Sequence, residues 1–189
     1  WHKDRGLKGC DFIVLPGGFA HGDYLRAGAV ARFSPIMTDV IEFANNGGHV
    51  LGICNGFQVL CEAHLLPGAL VKNLNQKFIC KNLTIKPSTP NSLLTRQLDQ
   101  SEILNIPVAH GEGRYFAKET TINELKSQDR ILFQYCDEAG NLNEASNPNG
   151  SVDAIAGICN ENRNVFGLMT HPERAAEEVL CNTDGAKIL

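Results

Sequence analysis

The sequence has no C-x-x-C pair, no excess of basic residues and no apolar run of the length that a membrane-spanning helix needs. The first absence makes a zinc knuckle or a redox dithiol unexpected. The formal net charge of -4 at pH 7 gives no basic surface for nucleic acid, and the missing apolar run gives no membrane span. We therefore expect neither nucleic acid nor a membrane among the partners of this chain.

What is present is a chain of 189 residues with 43% hydrophobic and 20% charged residues, enough for one domain with its own core. We expect a single domain over residues 1–189. The seven cysteines are an odd number, and most of them lie inside apolar runs. Buried free thiols are typical of a reducing compartment, so the expected location is cytoplasmic.

Apolar runs and turn residues alternate in the first third of the chain. Residues 10–15 predict a fully buried strand that ends at Pro16-Gly17-Gly18. Ser34-Pro35 predicts the start of a helix that ends at Gly47, and residues 49–53 predict a second strand with a helix after it. This order favours an α/β fold, a mostly parallel open sheet with helices on both faces.

The rest of the chain is richer in strands, which adds antiparallel pairs to the expected sheet. Strand candidates lie at residues 77–86, 101–108, 131–136, 152–159 and 165–169. The last two are joined by a turn at 161–164 that predicts a hairpin. A short helix is predicted over 120–127, with a capping box at Thr121 and Glu124, and a last helix over about 175–181.

Cys54 lies where a strand gives way to a helix, between Gly52 and Gly56. A side chain on such a sharp turn stands out over the edge of the sheet, and its neighbours must be small because the chain folds back on itself. The turn alone fits a nucleophilic cysteine and a small buried cysteine about equally. The choice between these two interpretations depends on residues elsewhere in the chain.

Two residues near the end of the chain are suited to activate such a thiol. His171 follows the strand at 165–169, and Pro172 biases it toward an extended conformation in which His171 and Glu173 share a face. A carboxylate can then hold one imidazole nitrogen while the other faces a thiol. Alone, the pair is better explained as a helix start, but together with Cys54 it favours nucleophilic catalysis.

The turn after Cys54 also offers backbone donors for an anion. The N–H of Asn55 begins the helix, where donors are unpaired and the dipole favours negative charge. A second donor is expected from Gly17 or Gly18, which would complete an oxyanion hole. The same dipole is expected to lower the pKa of the Cys54 thiol.

Three motifs together resemble the class I, triad-type glutamine amidotransferases. In chain order they are Pro16-Gly17-Gly18, the G-x-C-x-G turn at 52–56 and His171-Pro172-Glu173. Further segments are similar to the small, separate-chain glutaminase subunits of phosphoribosylformylglycinamidine synthase: GGFAHGDYLRAGA at 17–29, LLPGAL at 65–70, HGEGRYFA at 110–117 and NPNGS at 147–151. The likeness covers nearly the whole chain and implies a flavodoxin-like sheet.

The resemblance implies a hydrolase that serves a ligase in de novo purine biosynthesis. The chain would hydrolyse L-glutamine to glutamate and ammonia and deliver the ammonia to a larger, ATP-dependent synthase subunit, with a small third subunit bridging the two. ATP and Mg²⁺ would be used by that partner, and no metal or organic cofactor is expected in this chain. The implied catalytic residues are Cys54, His171 and Glu173. The implied substrate-binding residues are Gly17, Gly18, Asn55 and Gln58.

We expect the segment from His110 to Arg114 to contact the synthase partner. Its glycines disfavour a regular element, and its charges suit a polar contact through His110, Glu112 and Arg114. Arg26, in the loop at 23–28, is a further candidate. An exposed turn with a local ion pair is the open alternative for these residues.

The start of the chain departs from the family pattern. Family members begin with a strand, a glycine-containing loop and a helix ahead of the region that Trp1 opens here. We therefore expect an N-terminally incomplete domain whose sheet strands lack a neighbour.

Three other functions remain open on the sequence. A gamma-glutamyl hydrolase would use the same triad but would not need the segment at 110–117. A DJ-1/PfpI-like enzyme shares the sheet and the cysteine turn, although Asn55 rather than a histidine follows Cys54 here. A non-catalytic interaction domain of the same fold would not need an intact Cys, His and Glu set.

Overall fold

The computed structural model describes residues 2–189, and within them the chain forms nine strands and three α-helices. The strands are β1 (Phe12–Leu15), β2 (His49–Ile53), β3 (Ala69–Val71), β4 (Ile79–Pro87), β5 (Leu104–His110), β6 (Arg114–Phe116), β7 (Ile131–Tyr135), β8 (Ile155–Cys159) and β9 (Val165–Leu168). The helices are α1 (Pro35–Asn45), α2 (Asn55–Glu62) and α3 (Glu119–Ser127).

Seven of the described strands form one sheet in the order β1-β2-β9-β8-β7-β4-β5, and β3 pairs with β6 in a separate ribbon. β1, β2 and β9 are parallel, whereas the remaining neighbours pair antiparallel. The expected α/β class with additional antiparallel strands is confirmed; two of the six pairings in this sheet are parallel and four are antiparallel, so the sheet is mixed, with its parallel part at β1, β2 and β9. The carboxyl ends of β1, β2 and β9 share one edge of the sheet, the usual place for ligands in α/β proteins.

The first strand is shorter and less buried than the sequence predicts. It covers Phe12–Leu15 and is the edge strand of the sheet that the described residues form. Phe12 and Val14 are 39% and 49% exposed, so the prediction of a fully buried strand is wrong. Side chains alternate between the two faces of a strand, and only Ile13 and Leu15 pack against the core.

α1 begins where Ser34-Pro35 predicts a helix start. Ser34 holds the N-cap position in an extended conformation, and Pro35 is the first helical residue. Met37, Val40 and Ala44 recur at helical spacing and are buried, as an amphipathic helix that packs on a sheet requires.

The β8–β9 hairpin forms as predicted and pairs Gly157 with Leu168. α3 is also confirmed, beginning one residue earlier than the prediction. Its N-cap is Lys118, and no side-chain capping bond is present there among the described residues, so the predicted capping box at Thr121 and Glu124 is wrong.

The helix predicted over 175–181 is wrong. Short 3-10 turns at Pro172–Ala175 and Glu178–Leu180 take its place, and Cys181 is left-handed with φ 56°. Val179 is 80% exposed. The apolar residues of this stretch therefore give no continuous stripe that a helix could bury, and helical propensity alone does not hold so short a segment.

All seven cysteines are free thiols in the described part of the chain, as the sequence predicts. Cys80 and Cys181 are exposed. None of the helices within residues 2–189 is both long and apolar enough to cross a membrane.

Candidate active site

Cys54 occupies the turn between β2 and α2 in a conformation that residues other than glycine rarely adopt. Its φ is 49° and its ψ is -104°, and strain of this kind persists in proteins mainly at functional sites. Gly56, in the first turn of α2, packs directly on the end of β1, because a Cβ there would overlap the carbonyl oxygen of Leu15. The predicted strand-to-helix turn is present, and a small residue is required at its second glycine.

His171 follows β9, which lies next to β2 in the sheet. Because β2 and β9 are parallel with Ile53 opposite Leu168, Cys54 and His171 leave the sheet at the same edge. The backbone N–H of Cys54 donates to the Leu168 carbonyl at 2.7 Å, which fixes the cysteine turn on β9.

Gly17, in the loop after β1, packs against both of these side chains. A Cβ built on Gly17 would lie 2.7 Å from Cε1 of His171 and 3.6 Å from Cβ of Cys54. The thiol-bearing side chain and the imidazole therefore meet at one point beside the first strand. A side chain at position 17 would displace the imidazole, which accounts for the glycine.

Glu173 holds the His171 ring. Its Oε1 is 2.6 Å from Nδ1 of His171, and the imidazole is 1% exposed while the carboxylate is 42% exposed. A proton on Nδ1 that is donated to a carboxylate leaves Nε2 as the nitrogen that can accept a proton. That Nε2 is buried and has no hydrogen-bond partner within residues 2–189.

The Cys54 thiol is buried and donates to the carbonyl oxygen of Ala109 at 3.7 Å. Burial raises the pKa of Cys54 to about 11, and the smaller opposing effects of the Asn55 N–H and the Arg174 charge do not compensate. The expectation of a lowered pKa is therefore wrong, because desolvation outweighs the helix N-terminus. The thiol is protonated at neutral pH, and a base must take its proton when it attacks.

Asn55 and Gln58 connect the start of α2 to the loops around the thiol. The Asn55 side chain accepts a hydrogen bond from the N–H of Ala20 at 3.1 Å and donates to Asp23 and Gln58 at 3.2 and 2.8 Å. Gln58 in turn donates to the main-chain carbonyl of Glu112 at 2.6 Å. These bonds fix the loop after β1 and the loop after β5 on either side of the cysteine turn.

A cavity of about 110 Å³ opens beside the thiol. It is lined by Gly18, Cys54 and Gln58, which the sequence predicts for catalysis or substrate binding, by His110 and Glu112, which were expected at the partner interface, and by Asp23. Asp23 was not among the sequence-predicted residues. Its place in the glycine-rich loop that follows Pro16-Gly17-Gly18 is the signal that could have identified it.

The residues expected at a partner interface lie in different surroundings. His110 ends β5 and Arg114 begins β6, so the expectation of an irregular segment is wrong at both ends. His110 is 3% exposed, which leaves its ring no surface for a partner to contact. Arg26 is exposed but binds Glu62 through Nε and Nη2 at 2.5 and 2.8 Å. For Arg26, Glu112 and Arg114 the interface role stays a prediction.

Comparisons with known proteins identify the family. Residues 2–187 match the CobB/CobQ-like glutamine amidotransferase domain. The chain is 53% identical over 188 residues to the phosphoribosylformylglycinamidine synthase subunit PurQ of Koribacter versatilis, covering 100% of this chain and 81% of that protein. It is 52% identical over 185 residues to PurQ of Synechocystis, covering 98% of this chain and 83% of that protein.

The structural comparison agrees with the sequence comparison. A chain in the structure of PurLQS from Thermotoga maritima superposes with a TM-score of 0.83 at 40% identity, covering 98% of this chain and 79% of that one. The chain therefore belongs to the CobB/CobQ-like glutamine amidotransferases and, within them, to the PurQ subunits of phosphoribosylformylglycinamidine synthase.

Proposed function

We propose that this chain hydrolyses L-glutamine with Cys54, His171 and Glu173 as its catalytic residues and delivers the ammonia to a larger, ATP-dependent synthase subunit. One observation carries the proposal. The parallel ends of β2 and β9 bring Cys54 and His171 together around Gly17, with Glu173 at 2.6 Å from the imidazole. A buried thiol beside an oriented base is the arrangement that acyl transfer through a thioester requires.

In the first half-reaction, Sγ of Cys54 attacks the carboxamide carbon while its proton passes to Nε2 of His171. A C–S bond forms and the carbonyl oxygen becomes an oxyanion. The backbone N–H groups of Asn55 and Gly18 are the proposed donors to that oxygen, and one such donor is typically worth about 10²–10³ in rate. His171 then returns the proton to the departing nitrogen, and ammonia leaves as the C–N bond breaks.

In the second half-reaction, water attacks the glutamyl thioester. Nε2 of His171 takes a proton from the water, the C–S bond breaks, and the proton restores the Cys54 thiol as glutamate is released. Glu173 is proposed to stabilise the imidazolium that forms in each half-reaction, since its oxygen already holds Nδ1.

Gly17 and Gln58 are proposed to shape the glutamine site. Gly17 leaves room for the imidazole, and Gln58 lies in the cavity wall with its amide held by Asn55 and by the Glu112 carbonyl. Both residues therefore act on the substrate through the shape of the site, and neither exchanges a proton with it.

The expected partners are a large synthase subunit and a small bridging subunit. The relatives in Koribacter and Synechocystis are named as synthase subunits, and the Thermotoga relative is part of PurLQS, which supports this assignment. Side chains, substrate and water supply every group in the proposed steps, so we assign no metal or organic cofactor to this chain and leave ATP and Mg²⁺ to the partner. The free thiols support a cytoplasmic location.

Covalent labelling tests the nucleophile. A diazo-ketone analogue of glutamine is incubated with the chain, with and without the synthase subunits, and peptides are analysed by mass spectrometry. We expect the added mass on the peptide that contains Cys54 and not on those with the exposed Cys80 or Cys181. Failure to label Cys54 even in the complex would favour an interaction domain without catalysis.

The replacement Cys54→Ala tests the division of labour. It should abolish glutamine-dependent synthesis by the complex and leave ammonia-dependent synthesis intact, because ammonia bypasses the thioester. Equal loss of both activities would contradict the proposed role of this chain.

A further inference from the structure

The cavity beside the Cys54 thiol has two carboxylates in its wall. Asp23 comes from the loop after β1, and Glu112 comes from the loop after β5. They are close enough to repel each other, since burial and the charge of Glu112 both raise the pKa of Asp23. Two carboxylates that share a small space favour a cation between them.

The charge of Arg26 acts on Glu112, but within residues 2–189 no hydrogen bond or ion pair joins a cationic side chain to either carboxylate. Arg26 is the arginine nearest to Asp23 in the sequence, and its Nε and Nη2 both donate hydrogen bonds to Glu62. Asp23 accepts one hydrogen bond from Asn55, through Oδ1, and Glu112 accepts one from the Ala27 N–H, through Oε2. Within residues 2–189, Oδ2 of Asp23 and Oε1 of Glu112 have no hydrogen-bond donor, so each of them can accept a hydrogen bond from a bound ligand.

His110 supplies an independent observation in the same cavity wall. The Asn73 amide is oriented by two donations from its Nδ2, to the carbonyls of Lys77 and His110, so its Oδ1 faces Nδ1 of His110 at 3.1 Å. Nδ1 of His110 must then carry the proton, and Nε2 is an acceptor. This Nε2 is buried without a hydrogen-bond partner among the described residues, which is costly unless a donor arrives from the cavity.

A primary ammonium group fits these surroundings. It carries a positive charge and three N–H donors, and the cavity offers two carboxylates and a neutral imidazole nitrogen as acceptors. Glutamine presents its carboxamide at one end and an α-ammonium at the other. With the carboxamide at Cys54, the charged end is the part of the substrate that the acidic pair can recognise.

We propose that Asp23 and Glu112, with His110 beside them, form the subsite that binds the α-ammonium group of the substrate. The inference rests on the proposed glutaminase function and assigns to that site its specificity for an amino acid over a simple amide. Asp23 and Glu112 would contribute to binding and not to bond breaking, so their loss should raise KM more than it lowers kcat.

Kinetics with two substrates test the subsite in the complex of this chain with its synthase subunits. Glutamine is compared with glutaramate, which is glutamine without its α-amino group. For Asp23→Asn and Glu112→Gln we expect kcat/KM for glutamine to fall by about ten- to a hundredfold, the effect of one lost charged hydrogen bond. The kcat/KM for glutaramate should stay within about twofold, because glutaramate has no group for the subsite.

Two controls separate this inference from simpler explanations. Glu119→Gln, on the exposed first turn of α3, removes a carboxylate outside the cavity and should change neither substrate. Damage to the cysteine turn through the Asn55 contact of Asp23 would slow both substrates equally. Equal effects on glutamine and glutaramate, or no effect on either, would overturn the subsite.

The outcome is distinguishable from failure of the proposed function. If the wild-type complex does not turn over glutamine, or if Cys54→Ala does not abolish that turnover, the glutaminase assignment fails and the subsite proposal fails with it. If that turnover is present and the preference for glutamine over glutaramate survives in both variants, the subsite alone is wrong.

Discussion

The spacing of residues in two sequence motifs identifies Cys54 and His171, but it does not determine their protonation states. The G-x-C-x-G turn and the H-x-E pair identify them in the sequence. The pKa of the thiol depends on how completely the folded chain removes water from it, and burial raises that pKa to about 11. The helix N-terminus predicted from the sequence instead indicates a lowered pKa, because the sequence pattern carries no information on desolvation.

The raised pKa predicts slow alkylation of the resting nucleophile. With iodoacetamide, the rate at Cys54 should rise about tenfold per pH unit from neutral pH until the pH approaches the pKa, because only the thiolate reacts. The exposed Cys80 and Cys181 should be modified first at pH 8. Peptide mass spectrometry over a pH series measures each rate. A plateau for Cys54 near neutral pH would show that its thiolate is already present.

Glu173→Gln tests whether the charge at this position matters as well as the hydrogen bond. The amide can still accept from Nδ1 of His171 but cannot stabilise an imidazolium, so kcat for glutamine hydrolysis should fall by about a hundredfold or more with little change in KM. Glu178→Gln, in the next exposed turn, is the matched control and should keep full activity. An unchanged kcat in Glu173→Gln would remove the carboxylate from the mechanism.

At the scale of elements, α2 is positioned by its contact with β1. The backbone of Gly56 lies against the Leu15 carbonyl, so Gly56→Ala must move either the helix or the strand. Overlap with backbone is harder to relieve than overlap with a side chain, and we expect a loss of about 3 kcal/mol or more in the free energy of unfolding. Urea unfolding followed by circular dichroism measures it.

Gly111→Ala is the matched control for that substitution. A Cβ on Gly111 would meet only Cδ2 of Phe78, at the ordinary contact distance of 3.7 Å. Its stability should therefore remain within about 1 kcal/mol of the wild type. If Gly56→Ala is as stable as Gly111→Ala, the packing of α2 on β1 is not as tight as the distances indicate.

Elements with strong local signals could be predicted, and elements that depend on packing could not. Ser34-Pro35 marks the start of α1, and the turn before Val165 marks the β8–β9 hairpin. The stretch at 175–181 has helix-forming residues, but Val179 points away from the core and no helix forms. Phe12 and Val14 belong to an apolar run typical of a buried strand and are exposed, because only the face of β1 that carries Ile13 and Leu15 packs against the core.

At the scale of the whole molecule, the site depends on pairings between distant parts of the chain. β9 inserts between β2 and β8, so residues 50–53 pair with residues 165–168. No local pattern specifies that neighbour, so the prediction that Cys54 and His171 act together rests on the base that a nucleophilic thiol needs and on the resemblance to a known family. The family pattern did not reveal Asp23, His110 and Glu112 as one cavity wall, because that depends on how two loops pack.

The buried His110 links stability of the whole fold to pH. Burial, aided by the charge of His171, lowers the pKa of His110 from 6.5 to about 4, so between these values the unfolded chain binds more protons than the folded one. Stability from this residue is therefore lost as the pH falls, by about 2 kcal/mol between pH 7.5 and pH 5. Urea unfolding at these two pH values measures the fall. The glutamine in His110→Gln does not titrate, so the free energy of unfolding of this variant should fall by about 2 kcal/mol less between the two pH values, whatever its absolute stability. Equal pH dependence in the two proteins would mean that the folded structure does not hold His110 neutral.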